Sequence, residues 1–161
     1  MSRFEELNLN IDTVLMKLLS SQDLCKYLFY DEDDPMSQPN IEDTSILLFD
    51  RIYPTPVSPI ITDSAKSLIT IIQDDFSLAQ TNTAFKTSKI IFNILCHIEL
   101  WRMPGTGKLR PYSILSEIDK LFNQQRVLGI GKLSFSNGRW IGVNDRWQGY
   151  QVAYKIYEFD I

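Results

Sequence analysis

Histidine occurs once, at His97, and cysteine only twice, at Cys25 and Cys96. So small a stock of soft ligands argues against a structural zinc site, and two distant thiols without C-x-x-C spacing exclude a disulfide framework. Long apolar runs are missing too. The most apolar stretch, Ile90 to Leu95, is far too short to cross a bilayer. The opening residues MSRFEELNLN carry no apolar h-region, so no signal peptide is expected and a reducing cytosol is. Phosphate loops are also lacking. Gly105, Gly107 and Lys108 miss the G-x-x-x-x-G-K-S/T spacing, with Leu109 where a hydroxyl belongs, and Gly129-Ile130-Gly131 lacks the third glycine of a dinucleotide fingerprint. Both read as turns.

What is present suits one globular domain over 1–161. With 44% apolar residues, a chain of this length buries roughly 70% of its unfolded surface and folds without a metal or disulfide. It divides into N-terminal helices with an acidic loop, 1–44, and a sheet with a central helix, 45–161. The net charge of −4 hides a polarity: residues 1–50 sum to −8 and residues 51–161 to +4. That distribution disfavours a nucleic-acid binder, which needs a basic face, and suits subunits meeting acidic edge to basic edge.

Ile11, Val14, Leu15, Leu18 and Leu19 recur at helical spacing after Asn10 or Asp12 as cap. A second short helix is expected over Gln22 to Tyr30, then a loop over 31–40. Ile46 to Ile52 has the composition of a strand, closed by Pro54, Pro56 and Pro59. Lys66 to Gln73 and Thr87 to Trp101 are strands, joined by a polar connection. In the second, Ile90, Phe92, Ile94, Cys96, Ile98 and Leu100 form one apolar face. Pro111 opens a helix reaching about Arg126, with Ile114, Leu115, Ile118, Leu121 and Phe122 on one side. Asn137-Gly138 predicts a hairpin turn between Lys132–Ser136 and Arg139–Val143, and Tyr150 to Phe159 a last strand. The order lacks a βαβ rhythm. The expected class is α+β, an antiparallel or mixed sheet with helices packed mainly on one face.

No constellation for chemistry emerges. His97 and Glu99 share a strand face, but a catalytic zinc needs three protein ligands and Cys96 faces the other way. Neither thiol has the basic partner that activates a nucleophile. Asp31, Glu32, Asp33 and Asp34 lack the spacing and distal Glu of a calcium loop, so they read as a solvated loop. Trp140, Trp147, Tyr150, Tyr154, Tyr157 and Phe159, with Arg139, Arg146 and Lys155, have the composition of a stacking platform for single strands. Packing on the sheet or on a neighbouring subunit selects the same residues and explains them better. No catalytic, cofactor-binding or metal residue is assigned, and the protein is expected not to be an enzyme.

From about Asp43 onward, several phrases resemble one family. They are Arg51-Ile52 before the prolines, the long strand ending at Cys96-His97 and Trp101, and Arg110-Pro111 opening the helix with Ile114 and Ile118. The Gly129 to Leu133 turn and the Gly149-Tyr150 strand complete them. Together they resemble the tail-terminator (tail-completion) proteins of tailed bacteriophages. The resemblance implies a subunit of a hexameric ring that caps the tail tube, stops its polymerisation and joins tail to head. Implied partners are copies of itself, the tail tube protein, neck or connector proteins, and the sheath if the tail contracts. DNA only passes through the lumen, no membrane or cofactor is involved, and the chain is made in the host cytoplasm and resides in the virion. Other neck components, such as a head-completion protein, and a monomeric protein-binding regulatory module stay open. Docking candidates, by loop position alone, are Asp31, Glu32, Asp33, Asp34, Asp74, Asp75 and Phe76 in the loops 31–44 and 74–86. Arg110 is the candidate for an inter-subunit ion pair.

Overall fold

The computed structural model describes residues 3–78 and 86–157. Two helices open the fold, α1 over Leu7–Leu19 and α2 over Gln22–Phe29. Ser21 separates them by accepting the Leu24 N–H at 3.2 Å, which satisfies one of the free donors of the first turn of α2. Val14, Leu15, Leu18 and Leu19 bury the inner stripe of α1, and Leu24, Cys25, Tyr27 and Leu28 that of α2. Helix α3, Arg110–Phe122, carries Pro111 in its first turn and buries Ile114, Ile118 and Phe122. It stops short of Arg126 because Asn123 turns extended and Gln124 takes a φ of 58°.

Six strands among the described residues form one sheet in the order β1-β2-β3-β8-β7-β6. They are β1 Ile52–Tyr53, β2 Ser67–Leu78, β3 Lys86–His97, β6 Arg126–Val127, β7 Gly131–Gly142 and β8 Trp147–Tyr157. Only the β1–β2 pair is parallel. A small ribbon, β4 Arg102–Met103 with β5 Lys108–Leu109, leads into α3. The protein is α+β, and its helices lie on one face of the sheet. There Ile90, Phe92, Ile94 and Cys96 of β3 and Val152, Tyr154 and Ile156 of β8 join all three helices in one hydrophobic cluster. Phe92 and Phe122 meet at 5.0 Å between ring centres. Among the described residues no helix is long and apolar enough to cross a membrane.

The structure corrects several local expectations. Ile46 to Ile52 is not a strand. The Asp43 carboxylate accepts the Ser45 N–H at 3.0 Å and starts a 3-10 turn over Thr44–Leu47, after which Phe49 at φ 60° reverses the chain. Residues 98–101 leave β3 for a 3-10 turn over Ile98–Leu100, so Ile98 is 43% exposed rather than core. Asn137-Gly138 is not a turn: β7 passes straight through it, with a β-bulge between Phe135 and Asn137. The chain reverses over 143–146 instead, where Asn144 Oδ1 accepts the N–H groups of Arg146 and Trp147 at 3.0 and 3.1 Å. The last strand starts at Trp147, and Phe159 lies outside the described residues.

The second face of the sheet, expected to be polar, is half core. Leu68, Leu95 and Trp147 are buried there beneath Tyr53 and Val57. The prolines that cannot extend a ladder carry their segment across this face. Trp147 Nε1 donates to the Ile60 carbonyl at 3.1 Å and Asn144 Nδ2 to that of Pro59 at 3.0 Å.

Candidate functional site

Arg110, the candidate for an inter-subunit ion pair, lies inside the fold, against the acidic loop that was the candidate for docking. Arg110 is 1% exposed. Its Nε donates to the Leu100 carbonyl at 3.1 Å, Nη1 to those of Tyr27 and Tyr30 at 3.0 and 2.9 Å, and Nη2 to that of Glu32 at 2.7 Å. Every nitrogen of the guanidinium thus donates within its own chain, where a surface ion pair was expected. Burial lowers the pKa of Arg110, and Cys96, Asp31, Asp33 and Glu32 act against that shift. The group stays charged and clamps the end of α2, where free carbonyls attract a cation, to the start of α3. Asp31 is also engaged internally, with Arg51 Nη1 at 3.0 Å, while the same nitrogen donates to the Leu28 carbonyl at 2.7 Å. Glu32, Asp33 and Asp34 have exposed side chains.

His97 is buried, edge-on to Trp147 at 5.2 Å, and its Nδ1 accepts the Glu99 backbone N–H at 3.2 Å. It starts the 3-10 turn. Burial pushes the Cys25 and Cys96 thiols up to about 12, so both are protonated near neutrality and inert. Among the described residues no group of three or more His, Cys, Asp or Glu could hold a metal.

Asp74, Asp75 and Phe76 lie in β2, not in a loop, because β2 and β3 continue as a ladder to Leu78 and Lys86. The rest of the expected loop, 79–85, is outside the described residues. A β-bulge falls between Asp74 and Ser77, with Asp75 at φ 59° and paired to Lys89 at 2.9 Å. Within the described residues, β1 pairs with β2 at Ile69 and Thr70, Ile71 beside them is buried, and β2 has no strand partner on this side from Ile72 onward. At the opposite side β6 pairs with β7 only at Gly131 and Lys132. Asn123 Oδ1 takes the Phe135 N–H at 3.0 Å, and the β7 edge is open from Ser136 to Gly142. Val143 N–H bonds toward β8, to the Trp147 carbonyl at 2.9 Å. By antiparallel alternation Gly138, Trp140 and Gly142 aim their backbone groups outward, at the open edge.

Beside that edge α3 leaves β7 uncovered on the helix face. A groove of about 640 Å³ runs there between Tyr112, Leu115 and Asp119 of α3 and Phe135, Gly138 and Tyr150 of the strands. Its walls are pinned: the Tyr112 and Tyr150 hydroxyls meet at 2.8 Å, and Tyr154 O–H donates to Asp119 at 2.8 Å. Phe135 and Trp140 stay 52% and 58% exposed. On the other face a row of side chains crosses four strands. Arg139 Nε donates to Gln151 Oε1 at 3.1 Å, Gln151 Nε2 to Asn93 Oδ1 at 2.8 Å, and Asn93 Nδ2 to Thr70 Oγ1 at 3.2 Å. The sequence grouped Trp140, Tyr150 and Tyr154 with Arg139 but not Tyr112 or Phe135, and the hairpin assigned at Asn137-Gly138 hid the long β7 edge.

The profile of one protein family, described as YomW, matches residues 21–156. The chain belongs to the YomW family. This family is phage-associated, which makes the chain a phage protein. No curated protein and no solved structure matches it. The YomW match starts at Ser21, the cap of α2, and ends at Ile156 in β8, so it takes in both open edges and the groove.

Proposed function

We propose that this phage protein is a structural subunit that associates with copies of itself into a ring capping the tail tube, in the role of a tail terminator. The observation that carries it is a polarity across the sheet. Helix α1 packs against β2, and Phe4 stacks on Phe76 at 5.3 Å, so Glu5 and Glu6 beside Phe4 lie at the β2 side together with the exposed Asp74. The opposite edge holds Arg126, Lys132 and Arg139. Copies set side by side in one orientation present unlike charges at every joint, whereas face-to-face pairs would juxtapose like charges. Heterologous contacts of this kind close into rings when the rotation per copy divides the circle. A ring that binds the tube end without offering a tube-like upper face ends growth.

The test is genetic. Phage lacking the gene should release tails of uncontrolled length that fail to join heads, and expression of the protein in trans should restore uniform tails. Normal virions with tails of normal length would overturn the assignment.

A further inference from the structure

We infer that the joint between copies is a continuous β-ladder, in which the open β7 edge of one copy pairs antiparallel with the open β2 edge of the next. This rests on the ring assignment and names the surface that builds it. Direction is the first argument. Successive antiparallel pairings make β2 and β7 run oppositely within one copy, so a neighbour in the same orientation offers β2 antiparallel to β7.

Backbone supply is the second. The Ile69 N–H points to the β1 side, to the Arg51 carbonyl at 2.8 Å, and Ile71 beside it is buried, so by alternation it is Gln73 that aims its backbone N–H and C=O at the open β2 edge. Gly138, Trp140 and Gly142 do the same on β7, and two glycines there leave room for another backbone. Bulges between Phe135 and Asn137 and between Asp74 and Ser77 end the regular stretches. The joint is thereby limited to about three residues of β2, Ile72 to Asp74, or roughly 10 Å of strand.

Side-chain parity is the third. Arg139 lies on the outer face with Gln151, Asn93 and Thr70, and by alternation Asp74 shares the face of Thr70. The exposed Asp74 and Arg139 thus meet on one side of the joint. On the helix side, exposed Trp140 and Phe135 come beside the Phe4–Phe76 pair of the neighbour. Opposite charges on one face and aromatics on the other are the cross-strand pairs that stabilise a ladder.

The experiment compares wild type, Gly138→Pro, Arg139→Glu and the double variant Arg139→Glu with Asp74→Arg. Sedimentation and negative-stain imaging are run on each, with and without tail tubes, beside thermal unfolding by circular dichroism. A Cβ at Gly138 would sit 3.5 Å from the Gln151 carbonyl oxygen, an ordinary contact, and the lost N–H points outward. Gly138→Pro should therefore unfold like wild type yet form no rings. Arg139→Glu should weaken association about tenfold or more, and the double variant should restore it. Rings of wild-type symmetry from Gly138→Pro, with Arg139→Glu equally competent, would overturn the ladder and leave the ring standing. A wild-type chain that forms no ring even on tube ends would overturn both. If Gly138→Pro fails to fold, the charge swap decides: no rescue by the double variant refutes the pairing.

Discussion

Replacing Arg110 by alanine lowers the unfolding free energy by about 3–5 kcal/mol, since a buried carbonyl stripped of its donor costs about 1–3 kcal/mol and several are stripped at once. Carbonyls of Leu100, Tyr27, Tyr30 and Glu32 all lose their donor together. A buried carbonyl without a partner carries its own desolvation penalty, so the loss exceeds that of one hydrogen bond. Arg110→Lys recovers little, because a single ammonium cannot serve acceptors spread from the 3-10 turn at Leu100 to the end of α2 and the acidic loop. Urea titration of the two variants against wild type measures this. A loss below about 1 kcal/mol for alanine would show the clamp to be dispensable.

The second large effect is at Gly149. A Cβ there would lie 1.7 Å from the Ile94 carbonyl oxygen and 2.8 Å from its carbon, both backbone atoms of the adjacent central strand. No side-chain rotation relieves such a contact, and strands β3 and β8 are paired without a break from Ser88 to His97. Gly149→Ala therefore costs about 3 kcal/mol or more and parts the middle of the sheet. Gly138→Ala is the control, because its nearest neighbour would be 3.5 Å away and its thermal midpoint should stay near wild type. Equal midpoints for the two alanine variants would contradict the close approach.

Periodicity made the core legible. The row Ile90, Phe92, Ile94, Cys96 and the stripes of the three helices are where alternation and helical spacing place them. Three kinds of information were not local. The Asn-Gly pair at 137–138 carries turn chemistry, yet cross-strand pairing with Val152 and Ala153 holds it extended, and tertiary context overrides local preference. The row of Leu95 and His97 looked solvent-facing because nothing in it announces that a proline-rich segment will fold over it. Arg110 looked like a surface charge because its four acceptors are backbone carbonyls, which no side-chain pattern reveals. The charge polarity between the chain's two parts was visible in composition. That Glu5, Glu6 and Asp74 lie at one edge of the sheet and Lys132 and Arg139 at the other needed the topology.

That alignment is most directly tested by the mass and symmetry of the particles the protein forms on tail-tube ends. Side-by-side joints in one orientation predict a closed ring of about six copies with cyclic symmetry and no two-fold axis in its plane. Two-fold dimers, or single copies bound one per tube end, would contradict it.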